Sequence, residues 1–211
     1  MLSVSWDTSR PGKIVCVGRN YAEHAKELGN VVPKEPLIFL KPPSSVIADG
    51  QPIIIPPESS QVDFEGEIGV IVGAQLRRAS ESAAARAVSA IVAANDVTAR
   101  DLQKTDGQWT RAKGFDTFCP LGDRAREVPA LDSLSLVTRV NGTERQRSTS
   151  AQMVFPIAAL LAYISRVMTL EPGDAVLTGT PAGVGPLTAG DTVEVEIEGV
   201  SRVSNPVRKE S

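Results

Sequence analysis

Short apolar runs, each broken within a few residues by proline, glycine or a charged turn, constrain this chain more than any other feature. Residues 13–17, 37–40, 53–55, 64–72, 90–97, 134–140, 175–178, 192–197 and 200–207 each have the length and composition of a strand. Asn141-Gly142 sits between two of these runs and signals a tight hairpin into 143–147. Helical signals are few. Residues 20–28 carry Asn20 as a cap, Glu23 three positions on, and a Gly29-Asn30 stop. Residues 80–88 are alanine-rich behind Ser80. Residues 150–165 place Met153, Ile157, Leu160, Leu161 and Ile164 at helical spacing. Residues 98–104 suit a single helical turn, and 106–117 read as polar and irregular. Strands outnumber helices and do not alternate with them, so the expected class is α+β and β-rich, not a βαβ wind. A length of 211 residues suits one domain, placed over 13–211 behind an N-terminal extension at 1–12.

Composition removes several classes. The net charge is −3 and no lysine- or arginine-rich run occurs, so nucleic acid is not an expected partner. The longest apolar stretch, 154–164, is too short to span a bilayer. Met1–Asp7 lacks a basic segment followed by an apolar one, so the expectation is a cytoplasmic protein. The two cysteines, Cys16 and Cys119, lack metal-ligand spacing; Cys16 reads as a small core residue, and a disulfide between them stays open.

Glu65 and Glu67 lie two apart in the run 62–70, and residues two apart in a strand share a face. Carboxylates held together repel unless a proton or cation lies between them. Asp96, at the end of a second run, would complete an all-oxygen site for Mg²⁺, Mn²⁺ or Ca²⁺. Taken alone, Glu-x-Glu also fits a solvated strand edge.

His24 is the single histidine, and Glu27 shares its helix face three residues on. Such a pair can orient an imidazole for acid–base work, or simply lie on the surface. Lys113, in Ala112-Lys-Gly-Phe-Asp116, could stabilise an oxyanion beside a cation, or be a surface lysine. The stretch 178–185 is glycine-rich but lacks the Gly-Lys-Ser/Thr ending of a phosphate loop. It reads as a wide turn whose N–H groups could bind a carboxylate.

Six segments in order carry a resemblance. They are Gly18-Arg-Asn-Tyr-Ala-Glu-His24, Phe39-Leu-Lys-Pro-Pro43, Glu65-x-Glu67, Asn95-Asp-Val-Thr-Ala-Arg-Asp101, Ala112-Lys-Gly-Phe-Asp116 and Leu177-Thr-Gly-Thr-Pro-Ala-Gly-Val-Gly185. From about Lys13 to its end, the chain resembles the fumarylacetoacetate hydrolase family, and most its short acylpyruvate hydrolase and oxaloacetate decarboxylase members. The resemblance implies a mixed β-sheet roll with a few flanking helices, assembled as a homodimer. It implies Mg²⁺ or Mn²⁺ on Glu65, Glu67 and Asp96, and a His24–Glu27 dyad on a mobile lid over about 18–30, hinged at Gly18 and Gly29. Lys113 takes the family's lysine position, and Arg19, Arg100, Gln103 and Thr180 match positions lining the substrate pocket. One departure is the short stretch between Asp96 and Lys113, which bears on the pocket wall.

The implied activity is metal-dependent cleavage of the C–C bond of an acylpyruvate such as acetylpyruvate or fumarylpyruvate. His24 would activate water, and Lys113 would stabilise the departing pyruvate enolate. The substrate would be a small keto acid. Oxaloacetate decarboxylation and 2-hydroxyhepta-2,4-diene-1,7-dioate isomerisation in aromatic catabolism remain open beside it. From another class, so does a non-catalytic, metal-stabilised binding module.

Overall fold

The computed structural model describes residues 10–27, 29–124 and 127–210. Most of the extension expected over 1–12, and Leu28, the last residue of the helix expected over 20–28, lie outside these residues.

Two five-stranded sheets form the body. The first runs Leu37–Lys41, Ile14–Gly18, Ala175–Leu177, Gly66–Val72, Val88–Asn95. Its Ile14–Gly18 strand is parallel to Ala175–Leu177 and antiparallel to Leu37–Lys41. The second runs Thr143–Thr149, Ser135–Val140, Thr192–Ile197, Ser201–Lys209, Ile53–Ile55. Its hairpin turns at Asn141 and Gly142, both at positive φ (52° and 78°), as a type I′ turn requires. Val62–Phe64 pairs with both Thr98–Ala99 and Gly185–Pro186, and Val46–Ile47 pairs with Cys119–Pro120. The protein is therefore a strand-rich α+β fold with mixed sheets and few helices.

The main core fills the space between the sheets. Val70, Ile91, Leu136 and Ile197 from the strands meet Ile157, Leu160, Leu161 and Ile164 of the Ile157–Val167 helix. That helix is shorter than its apolar spacing suggests. Pro156 has no N–H to continue a helix from Ser150, so it becomes the N-cap. Ser150–Gln152 forms a separate 3₁₀ turn, closed by reciprocal Thr149 and Gln152 side-chain bonds. Met153 is still buried, but as an extended residue bridged to Tyr21. Cys16 and Cys119 are both buried and free, which closes the disulfide possibility. Among the described residues, no helix is long and apolar enough to cross a membrane.

Two departures from the sequence reading shape the site. The strand expected over 64–72 is two strands, Val62–Phe64 and Gly66–Val72, with Glu65 in the break. The chain changes sheets here, and side chains fill the gap in the ladder. Asn95 Oδ1 accepts the Glu65 N–H (3.0 Å) and Gln146 Oε1 accepts the Gly66 N–H (3.0 Å). Likewise the strand expected to run through Asp96 ends at Asn95, and the Asp96 N–H donates to Glu65 O at 2.9 Å. The second departure is a short helix, Thr110–Lys113, inside the stretch read as irregular. Its Thr-Arg-Ala-Lys sequence has no apolar period to announce it.

Candidate active site

Glu65, Glu67 and Asp96 converge, although only Glu67 sits within a regular strand. Each offers a carboxylate oxygen within 4.8 Å of the others, and all three are buried. The solvated-edge reading of Glu-x-Glu therefore fails. Gly66 faces away and permits this crossing, because a Cβ there would lie 1.9 Å from Thr138 Oγ1.

Buried cations answer the acids. Lys113 Nζ donates to Glu65 Oε2 at 2.7 Å and to Asp96 Oδ2 at 2.6 Å. Lys41 Nζ donates to Asp96 Oδ1 at 2.7 Å and to Val97 O at 3.1 Å. Arg100 donates to Asp63 Oδ2 at 2.9 Å, to Glu65 Oε1, and to Gln103 Oε1 at 2.6 Å. Lys113 is thus no surface lysine: its side chain is 2% exposed. Four acids meet three bases, and the acid without a cationic contact is Glu67, which accepts the Gly179 N–H at 2.7 Å.

Ionisation follows this layout. Burial opposes the charge on Glu65, but Lys113 and Arg100 overcome it and hold its carboxyl well below the usual carboxylate range. For Glu67, burial and then the Asp96 and Glu65 carboxylates push it well above that range. A buried carboxylate forced towards its protonated form by two others is what a bound cation would relieve. The all-oxygen donor set suits a hard divalent ion, so these residues fit a metal.

His24 Nδ1 lies 3.2 Å from Glu27 Oε2, on the helix Ala22–Glu27. The ring is buried, with 6% of its side chain exposed, so it is not a surface histidine. Glu27 Oε1 also accepts the Gly183 N–H at 3.0 Å. The glycine-rich loop therefore does bind carboxylates, but they are the protein's own: Glu67 at one end and Glu27 at the other. Of the two expected hinges, Gly29 has positive φ (69°), whereas at the strand end it is Arg19 (φ 59°) and not Gly18 that turns left-handed.

A cavity of about 260 Å³ opens onto the triad, His24 and Lys113 together. Arg19, Arg100, Gln103 and Thr180 also line it. Arg100 and Gln103 are already bonded to each other, and the Thr180 hydroxyl donates to Gly66 O at 2.8 Å while accepting from Gln146 Nε2 at 2.8 Å. Nine of the ten expected site residues line this one cavity; the tenth, Glu27, lies outside its lining and reaches it through His24.

Four contributors were not singled out from the sequence as site residues. Asp63 continues the alternation of Glu65 and Glu67, so period two already pointed to it. Lys41 ends an apolar strand run on the same face as Phe39, a placement that asks for a buried partner. Gln146 and Trp109 gave no local signal, since what they meet lies far along the chain.

The profile of the fumarylacetoacetate (FAA) hydrolase C-terminal family matches residues 13–208. The chain is 44% identical to the oxaloacetate tautomerase of Escherichia coli, over 90% of this chain and 90% of that protein. It is 44% identical to the mitochondrial oxaloacetate decarboxylase of Dictyostelium discoideum, over 92% of both chains. Its fold superposes on a crystal structure of 2-hydroxyhepta-2,4-diene-1,7-dioate isomerase from Mycobacterium marinum with a TM-score of 0.88 and 43% identity, covering 96% of this chain and 76% of that one.

Proposed function

Because the chain belongs to the fumarylacetoacetate hydrolase family, we propose that it is an enzyme acting on a small 2-oxo acid through its enol, with oxaloacetate the first candidate. The observation that carries this reading is one small cavity shared by a buried histidine held by Glu27, a buried lysine and three convergent carboxylates. Related proteins named oxaloacetate tautomerase and oxaloacetate decarboxylase support the substrate class.

Glu65, Glu67 and Asp96 would hold Mg²⁺ or Mn²⁺, which when bound supplies Lewis-acid polarisation of the substrate's C2 carbonyl. The remaining work falls to side chains. Glu27 accepts from His24 Nδ1, fixing the tautomer that leaves Nε2 as the base. His24 takes a proton from C3 of the oxo acid, and the enolate so formed is protonated on its C2 oxygen to give the enol; the reverse transfer gives back the keto acid, so tautomerisation consumes no other reactant. Lys113 places a positive charge beside the oxygen that turns negative as the enolate forms. Arg19 lines the cavity and supplies a guanidinium for a second carboxylate, which suits a diacid.

Acylpyruvate hydrolysis is the second reading. It rests on the same dyad, since a base placed to take a C3 proton can take one from water. Isomerisation of an unsaturated diacid needs the same proton shuttle. The reading also carries a homodimer as the assembly, which light scattering checks.

The test follows enol-oxaloacetate, keto-oxaloacetate and acetylpyruvate in parallel, with Mg²⁺ and with chelator. Enol loss without pyruvate supports tautomerisation; pyruvate with CO₂ supports decarboxylation; pyruvate with acetate supports hydrolysis. His24→Ala should lower whichever rate is found by about 10²–10⁴-fold. No turnover of any of the three would sink the reading and leave a metal-stabilised binding module.

A further inference from the structure

We infer that Trp109, backed by Phe39, sets the chain length of the acid this site accepts, and that the groove behind it takes the apolar tail of a longer 2-oxo acid once that partition is removed. The inference rests on the reading above that the small cavity binds a 2-oxo acid.

Two cavities abut here. The catalytic one is about 260 Å³, and the groove behind it is about 880 Å³. Their linings share two residues, Phe39 and Trp109. The two rings pack edge to face, with centroids 5.3 Å apart and planes at 78°. They form the partition. It stands directly beside the chemistry, because Lys113 Nζ lies 5.1 Å from the centroid of the Phe39 ring.

The indole is held by packing and not by the backbone geometry of a regular element. Trp109 is the last of the four residues between the Arg100–Thr105 and Thr110–Lys113 helices and the N-cap of the second, and it makes no side-chain cap bond. It rests against Gly18, where an added Cβ would lie 3.2 Å from Trp109 Cζ3. Truncating Trp109 would therefore remove one side of the wall while leaving both helices their own hydrogen bonds.

The groove's chemistry names its occupant. Val15, Ile38, Leu40, Pro42, Phe115 and Met168 give it an apolar lining. Its two basic residues besides Lys41 are already paired, Lys13 with Asp174 and Arg111 with Asp106. Lys41 is spent on Asp96. The groove therefore offers contact to methylenes and no unpaired charge for a second carboxylate. An alkyl chain continuing from the reacting end of a 2-oxo acid matches that surface, provided the partition opens.

The test uses the saturated 2-oxo acids from pyruvate to 2-oxooctanoate, with Mg²⁺ present. Their binding is measured by calorimetry and by inhibition of oxaloacetate turnover. With the wild type, affinity should stop rising at the shortest members. With Trp109→Ala it should rise about fourfold for each further methylene, the gain expected for burying one CH₂. Trp109→Phe should restore the short cutoff in part. Met168→Trp added to Trp109→Ala refills the groove and should abolish the gain, which general loosening of the site would not predict. If Trp109→Ala does not fold, Trp109→Leu keeps an apolar side chain at the helix junction and carries the same expectation.

A flat length profile in the folded variant would overturn the inference, as would a wild type that already gains with each methylene. So would a variant with changed oligomeric mass and a flat profile, which would give the groove to a second copy of the chain. Failure of the underlying reading looks different: the wild type would bind no short 2-oxo acid and turn over no oxaloacetate.

Discussion

Replacing Lys41 with methionine should destabilise the protein far more than its single ion pair suggests. Lys41 is fully buried, and its ammonium serves both Asp96 Oδ1 (2.7 Å) and Val97 O (3.1 Å). Methionine keeps most of the volume and removes the charge. Asp96 would retain Lys113 on its other oxygen at 2.6 Å, but one buried oxygen and the Val97 carbonyl would each lose a donor. Removing one partner of a buried pair typically costs about 3–5 kcal/mol, because the other charge stays buried. For a chain of this size, each kcal/mol moves the melting midpoint by about 2–4 °C, so a fall of about 6–20 °C is expected. Thermal and urea melts followed by circular dichroism measure it, and an unchanged urea m-value shows that the denatured state is not the cause. Arg147→Met is the control. Arg147 makes two ion pairs, with Glu144 (2.7 Å) and Glu198 (3.1 Å), but at the exposed surface, so its loss should leave the midpoint unchanged. A Lys41→Met midpoint within about 2 °C of wild type would refute the argument that Asp96 depends on this lysine.

Mg²⁺ or Mn²⁺ at about a hundred times its dissociation constant should raise the wild-type midpoint by about 5–10 °C, and Glu67→Gln should lose most of that rise. An equal rise in both would place the ion elsewhere. Both cysteine thiols should resist a thiol reagent at pH 8 until the protein unfolds, because burial pushes Cys119 up to about 12 and Cys16 well above its ordinary value. One fast-reacting thiol in the native state would contradict that packing. Asp101 accepts bonds from Ser59, Ser60 and the Leu102 N–H, and these outweigh its partial burial and lower its pKa. A depressed carboxyl contributes stability above its unfolded value of about 4, and that contribution is lost as pH falls towards the folded value. Asp101→Asn should therefore be less stable than wild type at neutral pH and converge with it in acid; a gap independent of pH would assign the effect to something other than charge.

Local patterns in the sequence carried much of the site. Alternation placed Glu65 and Glu67 together, and helical spacing placed Glu27 beside His24, because both periods are properties of the backbone itself. The same alternation reached Asp63, and the apolar run 37–40 marked the strand that buries Lys41. What local pattern misread was continuity. Glu65 lies in a break between strands because the chain changes sheets there, and Asn95 and Gln146, 30 and 80 residues away, replace the missing ladder bonds. Pro156 moved a helix start that apolar spacing alone put earlier.

By itself, the sequence determined the class of fold, the order of its strands along the chain, the hairpin at Asn141-Gly142 and the types of residue that could do chemistry. Those depend on neighbours in sequence, whose geometry a backbone period fixes. Tertiary structure alone decided which charges balance. Lys41, Lys113 and Arg100 could each have been a solvated cation; they became partners of Glu65 and Asp96 because folding removed water from all of them at once, and a buried charge must meet its opposite or be neutralised. Folding likewise left Glu67 without a cation and set Phe39 and Trp109 between two cavities, since both outcomes turn on contacts between segments that the sequence keeps far apart.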